Sequence, residues 1–466
     1  MRNSLTRAKT WAKKLRADGK FRAAFAAHRY FRLLFSKERT SSALLTIIYR
    51  FAIASHLHWP RACLFCGQKL VRELSSLVDS PAYSEIAAQR LYVRICELLG
   101  IAGSDRRFDV EAAIGLSEAA LFSGRIETWL EMVRKIADSQ DKRALAIGSD
   151  HQNLRFIDPE IFYTTIGLTF NVDAWIKAGI LGIRPPWKTV VLAERNVSRL
   201  AANQCLLAYW RKYIEIVEMP STLRKLSKLS KQLSSRCQYY LRCNNSSVPF
   251  PHSSAVQIQH LWEEQKREPL LTLSAEHRER GNQTLREMGI PRDAWFVIFH
   301  VREPGFKGGE RFRDSDIRTY FGAIDLILSH GGWVIRMGDA SMTALPNRVG
   351  LIDYARSSFK SDWMDVFLCA SARFMVATSS GLATISHAFG VPIAMTNYLP
   401  TATTFLTSKD LFIPRLMRHL ESGLRLSFDE LMNPPFSLGV TDGMYSNVLR
   451  VEIIPNTEQE IISLVS

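Results

Sequence analysis

Arg373-Phe-Met-Val-Ala-Thr-Ser-Ser-Gly-Leu-Ala-Thr-Ile-Ser-His-Ala-Phe-Gly-Val-Pro-Ile-Ala-Met395 decides the fold. It runs from an apolar segment through a turn of small residues into a helical stretch (Leu382 to Phe389), then through Gly390 into a second apolar segment. Strand, turn, helix, turn, strand is one βαβ step of a parallel sheet. The Ser379-Ser380-Gly381 turn, with Thr378 before it, predicts free backbone N–H groups and two hydroxyls aimed above the sheet, the way α/β proteins bind phosphate. Upstream, Trp295-Phe-Val-Ile-Phe-His-Val301 is too short for a helix and lacks polar alternation, so it reads as a strand buried on both faces. Arg302 follows it and supplies a fixed positive charge at the strand tip.

Working outward, further strands are expected at Trp333–Met337, Val349–Asp353, Phe374–Thr378 and Pro392–Met395, with helices at Asp314–Ser329, Asp362–Ala370 and Leu382–Phe389. This α/β domain is placed at 285–466. A first α/β domain is expected at 141–284, with strands at Ala144–Ile147, Thr189–Ala193 and Tyr213–Val217 and helices at Val172–Leu181 and Ser198–Trp210. Residues 220–251 carry six Lys or Arg, no acid and many serines, which marks a helix and linker between the two domains.

Residues 1–140 read as all-helical, with one hairpin at 110–136. The chain has a net charge of +15, and twelve Lys and Arg against two acids put most of that excess in residues 1–40. No apolar run follows these charges as in a secretory signal. Phe21, Phe25, Tyr30, Phe31, Leu34 and Phe35 interleaved with Arg22, Arg29, Arg32 and Lys37 suggest a basic amphipathic helix, suited to an anionic membrane surface or to packing on the next domain. Nucleic acid is disfavoured, since no recognition motif accompanies the charge. The apolar stretch Ala43–Leu57 contains Arg50 and is shorter than the roughly 20 residues of a spanning helix. Cys63 and Cys66 form a CxxC with no second pair at zinc spacing, and the seven scattered cysteines suit reduced thiols in the cytoplasm.

His-Val-Arg-Glu-Pro-Gly (300–305), Arg313-Asp-Ser-Asp, Gly332-Trp-Val-Ile-Arg-Met-Gly-Asp339, Ile352-Asp-Tyr-Ala355, Ser361-Asp-Trp-Met-Asp365 and Ser379-Ser-Gly381 through Asn397 together resemble a bacterial family of GT-B-type glycosyltransferases. Some of its members carry tetratricopeptide repeats before the transferase part. The His-x-Arg loop is also similar to that of fucosyltransferases. The resemblance covers the carboxy-terminal half and, more weakly, 141–220. It implies two Rossmann-like domains facing a cleft and transfer of a sugar from a nucleotide-sugar donor to a glycan or lipid-linked acceptor, in surface polysaccharide assembly. The implied location is cytoplasmic, peripheral on the inner face of the membrane.

A leaving nucleotide diphosphate gathers negative charge, so a catalyst without a metal needs a cation and N–H donors at that oxygen. Arg302 fits the first role and Thr378, Ser379, Ser380 and Gly381 the second. His300 orients Arg302 or faces the sheet. Arg336, Gly338 and Asp339 follow the next strand and face the nucleotide, or form an internal Arg336–Asp339 pair. Asp353 and Tyr354 end a further strand, within reach of a base or ribose. Ser361 and Asp362 are expected as helix caps, with Asp365 in the first helical turn, and His387 as packing on the sheet. For a general base, His151, Asp158, Glu160 and Asp173 lie in the first domain, with Asp173 preferred. Asp314-Ser-Asp316 is read as a helix start in preference to a metal site, so metal independence is expected, and no cofactor. A non-catalytic scaffold and a nucleotide-sugar epimerase are the rival readings; the absence of a GxGxxG loop disfavours a dinucleotide enzyme.

Overall fold

The computed structural model describes parts of 120–136, most of 154–219 (gaps at 158–161, 163–165, 185 and 195–200) and 251–466 (gaps at 305–309, 402–406 and 439–441). The chain divides into two compact units, Met1–Ser139 and Gln140–Ser466. In the first, the described residues within 127–136 are helical, and Trp129, Val133 and Ile136 are buried at helical spacing. The basic helix of residues 1–40, the apolar stretch 43–57, Cys63 and Cys66, and the strand expected at 144–147 lie outside the described residues. Among the described residues no helix is long and apolar enough to cross a membrane.

The second unit is α/β, built on two parallel sheets. In the first, β1 (Leu154–Ile157), β2 (Lys188–Glu194) and β3 (Ile214–Met219) lie side by side in sequence order, with α1 (Thr169–Ile180) and α2 (Gln204–Trp210) as crossovers. β1 had no counterpart in the sequence reading, because its four residues, Leu-Arg-Phe-Ile, include a charge and form no apolar run. α1 is buried from Thr169 through Ala178, polar Asn171, Asp173 and Lys177 included, so it is wrapped on all sides and not laid on a surface.

Helices α3 (Pro251–Glu264) and α4 (Ala275–Glu287) lead into a six-stranded sheet. Its strands are β4 (Phe296–His300), β5 (Trp333–Arg336), β6 (Leu351–Ile352), β7 (Met375–Ala377), β8 (Ile393–Tyr398) and β9 (Leu411–Pro414), in spatial order β6-β5-β4-β7-β8-β9 with every pair parallel. This is the Rossmann order, in which the winding direction reverses between the first and fourth strands, here β4 and β7. Burial on both faces explains why β4, β7 and the first half of β8 (Ile393 to Met395) read as apolar runs.

Helices α5 (Phe321–Ser329), α6 (Asp362–Ser371) and α7 (Gly381–Ala388) are the crossovers. The helix expected from Asp314 begins later, as a 3-10 turn at Ile317–Tyr320 capped by Asp316, whose side chain accepts from the Arg318 N–H. An antiparallel pair, β10 (Leu416–His419) and β11 (Val451–Ile454), encloses a small core with Phe312, Leu399 and Tyr445 beside α8 (Phe428–Met432). The last helix, α9 (Glu458–Val465), packs on α5, where Gly322 leaves room for Ile462: a Cβ there would meet its side chain at 2.5 Å.

The two sheets are joined through their helices. Asn203 Nδ2 donates to the Asp362 carbonyl (3.0 Å) and the Gln204 N–H to Asp362 Oδ2 (2.9 Å), so Asp362, expected to cap its own helix, satisfies the start of α2 instead. Deeper in, Lys177 Nζ lies 2.6 Å from Asp173 Oδ2 and 2.7 Å from Gln259 Oε1, and His387 Nε2 reaches the same Asp173 oxygen at 3.5 Å. His387, expected as sheet packing, therefore ties α7 to α1.

Burial pushes the Asp173 pKa up, but Lys177 and His387 outweigh it and the net direction is down. A carboxylate with a depressed folded pKa contributes stability that is present above its unfolded value, about 3.9, and lost as pH falls through the folded value. Asp173→Asn should cost about 3–5 kcal/mol, because it leaves Lys177 buried without a counter-charge. It should also flatten the acid limb of the stability curve below about pH 4. Urea titrations across pH read both effects, and an Asn variant as stable as the parent would refute this role.

Candidate functional site

β4 and β7 end side by side, and their tips are bonded in both directions. The Thr378 N–H donates to the His300 carbonyl (3.1 Å), and the Arg302 N–H donates to Thr378 Oγ1 (3.0 Å). The chain after β4 then folds back over this tip, with the Ser315 N–H on the Arg302 carbonyl (2.7 Å). The Arg302 side chain is therefore only 8% exposed: Nη1 donates to Glu310 Oε2 at 2.9 Å, and Nε faces Asp314 Oδ1 at 3.3 Å. The expectation of an exposed strand-tip cation is corrected on this point. Arg302 is a buried guanidinium between two carboxylates, Glu310 from the loop before the expected helix and Asp314 from its expected start.

In the turn, Ser379 Oγ accepts from the Leu399 N–H (3.1 Å), so this hydroxyl fastens the segment after β8 and does not point freely above the sheet. Ser380 occupies the N-cap position of α7 in extended conformation; its Oγ makes no capping bond and is sealed from solvent without a partner. Gly381 is required by a close approach, because a Cβ there would lie 2.8 Å from the Gly167 nitrogen. The sequence reading missed Arg313. Its Nε and Nη2 donate to the Ser379 carbonyl at 3.0 and 2.5 Å, and its Nη1 donates to Glu310 Oε2 at 2.5 Å. The available signal was Glu310 three residues before Arg313, a spacing that pairs side chains in a helical turn.

The tips of β5 and β6 are organised differently from expectation. Arg336 is 2% exposed and pairs with Asp353, not Asp339: its Nε and Nη2 lie 2.8 and 2.6 Å from Asp353 Oδ1, and Nη2 also donates to the Thr343 carbonyl. Asp353 Oδ2 accepts from the Leu345 N–H (3.2 Å), and Glu303 Oε2 from the Thr343 N–H (2.7 Å). Arg336, Asp353 and Glu303 thus pin the loop after β5. Gly338 gives that loop its turn at φ +137, and Asp339 accepts from the Ser341 N–H. Tyr354 is fully buried and donates to Asp365 Oδ1 (2.8 Å), which leaves it no reach to a ribose. Asp365, in the first turn of α6 as expected, also pairs with Lys360 and anchors this corner; burial pushes its pKa up against that pairing. Ser361 holds the N-cap position without a side-chain capping bond; its Oγ donates to the Phe359 carbonyl (3.3 Å).

Of the base candidates, His151, Asp158 and Glu160 lie outside the described residues, and Asp173 is 2% exposed in the ion-paired joint between the sheets. That placement gives Asp173 no access to an acceptor hydroxyl. The carboxylates that pair with Arg302 at the β4 tip are Glu310 and Asp314. Burial raises the Asp314 pKa despite Arg302, whereas Glu310 is lowered overall, since Arg313 and Arg302 together outweigh its burial.

His300 is half-buried, and its Nδ1 is sealed and without a hydrogen-bond partner. Burial and then the charge of Arg336 push its pKa down to about 4. An unfolded histidine titrates near 6.5, so between there and pH 4 the unfolded chain binds a proton that the folded chain refuses. Stability should fall as pH drops through that window, by up to about 3 kcal/mol. His300→Asn should remove this slope in denaturant titrations, and an unchanged slope would show that His300 is protonated in the folded protein.

No protein-family model and no curated protein matches the chain. Among solved structures, a family 9 glycosyltransferase from Veillonella parvula shares 9% identity at a TM-score of 0.40, over 67% of this chain and 96% of that one. The E. coli ADP-heptose lipopolysaccharide heptosyltransferase II shares 13% at 0.36, over 64% and 98%. An iron-containing dodecameric glycosyltransferase of enterotoxigenic E. coli shares 14% at 0.35, over 67% and 74%. At these scores and identities the likeness assigns neither a family nor a reaction to this chain.

Proposed function

We propose that the protein is a GT-B-like glycosyltransferase that moves a sugar from a nucleotide-sugar donor to a glycan or lipid-linked acceptor. The observation that carries this reading is the juxtaposition, at the β4/β7 reversal point, of two guanidiniums, Arg302 and Arg313, with the first turn of α7. Ligands of open α/β sheets bind beyond the carboxyl ends of the strands where the winding reverses, and phosphates favour helix N-termini there. The linked motifs from His300 to Asn397 support a sugar-nucleotide substrate in particular.

In the transfer, the acceptor oxygen forms a bond to the anomeric carbon while the bond from that carbon to the diphosphate breaks. The electron pair goes to the leaving phosphate oxygen, and the acceptor proton goes to a base. Arg302, Arg313 and the N–H groups of α7 are the groups suited to the charge that builds on the diphosphate.

Nucleoside diphosphates should raise the melting temperature by several degrees, since a ligand at a hundred times its Kd stabilises by about 2.7 kcal/mol. Arg302→Lys is the informative variant, because Arg302→Ala would strip the largely buried Asp314 of its guanidinium partner. Lysine keeps the charge but loses the fork, and kcat/KM should fall by about 10²–10³. Wild-type turnover with the best donor in the Lys variant would contradict the assignment.

Metal independence is part of the proposal. Asp316 is engaged by Arg318, Nη2 to Oδ2 at 2.6 Å, and Asp314 faces Arg302, so the Asp-x-Asp pair is committed to guanidiniums. Transfer should persist in excess EDTA. Activity lost in EDTA, restored by magnesium or manganese and absent in Asp316→Asn, would move the diphosphate site to the carboxylates.

A further inference from the structure

We propose that Arg302 and Arg313 form one phosphate-binding subsite and that Glu310 is its built-in occupant, a carboxylate that a nucleotide diphosphate must displace. This rests on the reading above and adds to it a competition between Glu310 and the diphosphate.

A single oxygen, Glu310 Oε2, accepts from Nη1 of both arginines, at 2.9 Å from Arg302 and 2.5 Å from Arg313. Two guanidiniums converging on one anionic oxygen is the arrangement that binds a phosphoryl oxygen. Each arginine is also held by groups other than Glu310. Arg313 grips the Ser379 carbonyl with Nε and Nη2; the Arg302 backbone N–H donates to Thr378 Oγ1, and its guanidinium keeps an ion pair, Nε to Asp314 Oδ1 at 3.3 Å. When Glu310 leaves, Arg313 keeps its grip on the Ser379 carbonyl and Arg302 keeps its ion pair with Asp314.

Glu310 is held less firmly. Its side chain is 43% exposed, and among the described residues its carboxylate bonds only these two arginines. Rotation of its side chain returns the carboxylate to water without breaking any backbone bond. The turn that Arg313 holds at the Ser379 carbonyl continues into Ser380, whose hydroxyl is sealed and without a partner. The carboxylate also has a physical purpose in the free protein: it screens two neighbouring like charges that are partly removed from water.

The two roles open to Glu310 predict opposite signs. A competitor weakens diphosphate binding, so removing its charge tightens it; an orienting residue strengthens binding, so removing its charge weakens it. Titration calorimetry of the full chain with inorganic pyrophosphate and with a set of nucleoside diphosphates separates them. Glu310→Gln should bind pyrophosphate roughly tenfold tighter than the parent, and Arg313→Lys roughly tenfold weaker. Glu310→Asp, too short to reach both arginines, should also bind more tightly, and it serves as the readout if the Gln variant does not fold. Parent protein that binds nucleoside diphosphates, with Gln and Asp variants of equal or weaker affinity, overturns the stand-in role and leaves the proposed function intact. No diphosphate binding by parent or variants overturns both.

Discussion

The pair of hydrogen bonds between Thr378 and the backbone at His300 and Arg302 fixes everything else at the site. Parallel strands bring their carboxyl ends to one edge, but only where the winding reverses do two such ends lie together without a crossover helix between them. There Thr378 supplies both a backbone donor and a side-chain acceptor, so the β4 tip and the β7–α7 turn form one piece. Arg313 closes the piece from the third side through the Ser379 carbonyl, and Gly381 lets Gly167, in the 3-10 turn before α1, approach the same helix start.

The charges near this point share a pattern. Arg302 faces Glu310 and Asp314, Arg336 faces Asp353, Lys360 faces Asp365, and Lys177 faces Asp173. A buried ion without a partner costs several kcal/mol, so each is paired inside the fold. Their uses differ with exposure. Asp173 and Lys177, both nearly sealed, fasten the two sheets; Glu310, nearly half exposed, is the member of the set that solvent can reclaim.

The second sheet was legible because its strands are buried on both faces and written as apolar runs. Where that signal fails, so did the reading. β9 to β11 escaped notice since Leu411 is exposed at the sheet edge and Leu416–His419 and Val451–Ile454 carry charges on an antiparallel pair. α9 carried a readable sign, the capping box of Thr457 with Glu460, in a stretch too short to show a helical period. Within the site, the residue types at strand ends were legible, but their partners were not. Arg336 meets an acid seventeen residues away, Arg313 meets a backbone carbonyl that no side-chain pattern encodes, and Asp173 was read at a helix start without the burial that removes it from solvent.

The account's central claim is that the β4/β7 reversal point receives a nucleotide diphosphate. A crystal structure of the protein with a bound nucleoside diphosphate tests it most directly. The account predicts phosphate oxygens within hydrogen-bond distance of Arg302 and Arg313, beside the first turn of α7, with the Glu310 carboxylate turned away into solvent. A diphosphate bound elsewhere, with Glu310 still between the two arginines, would contradict it.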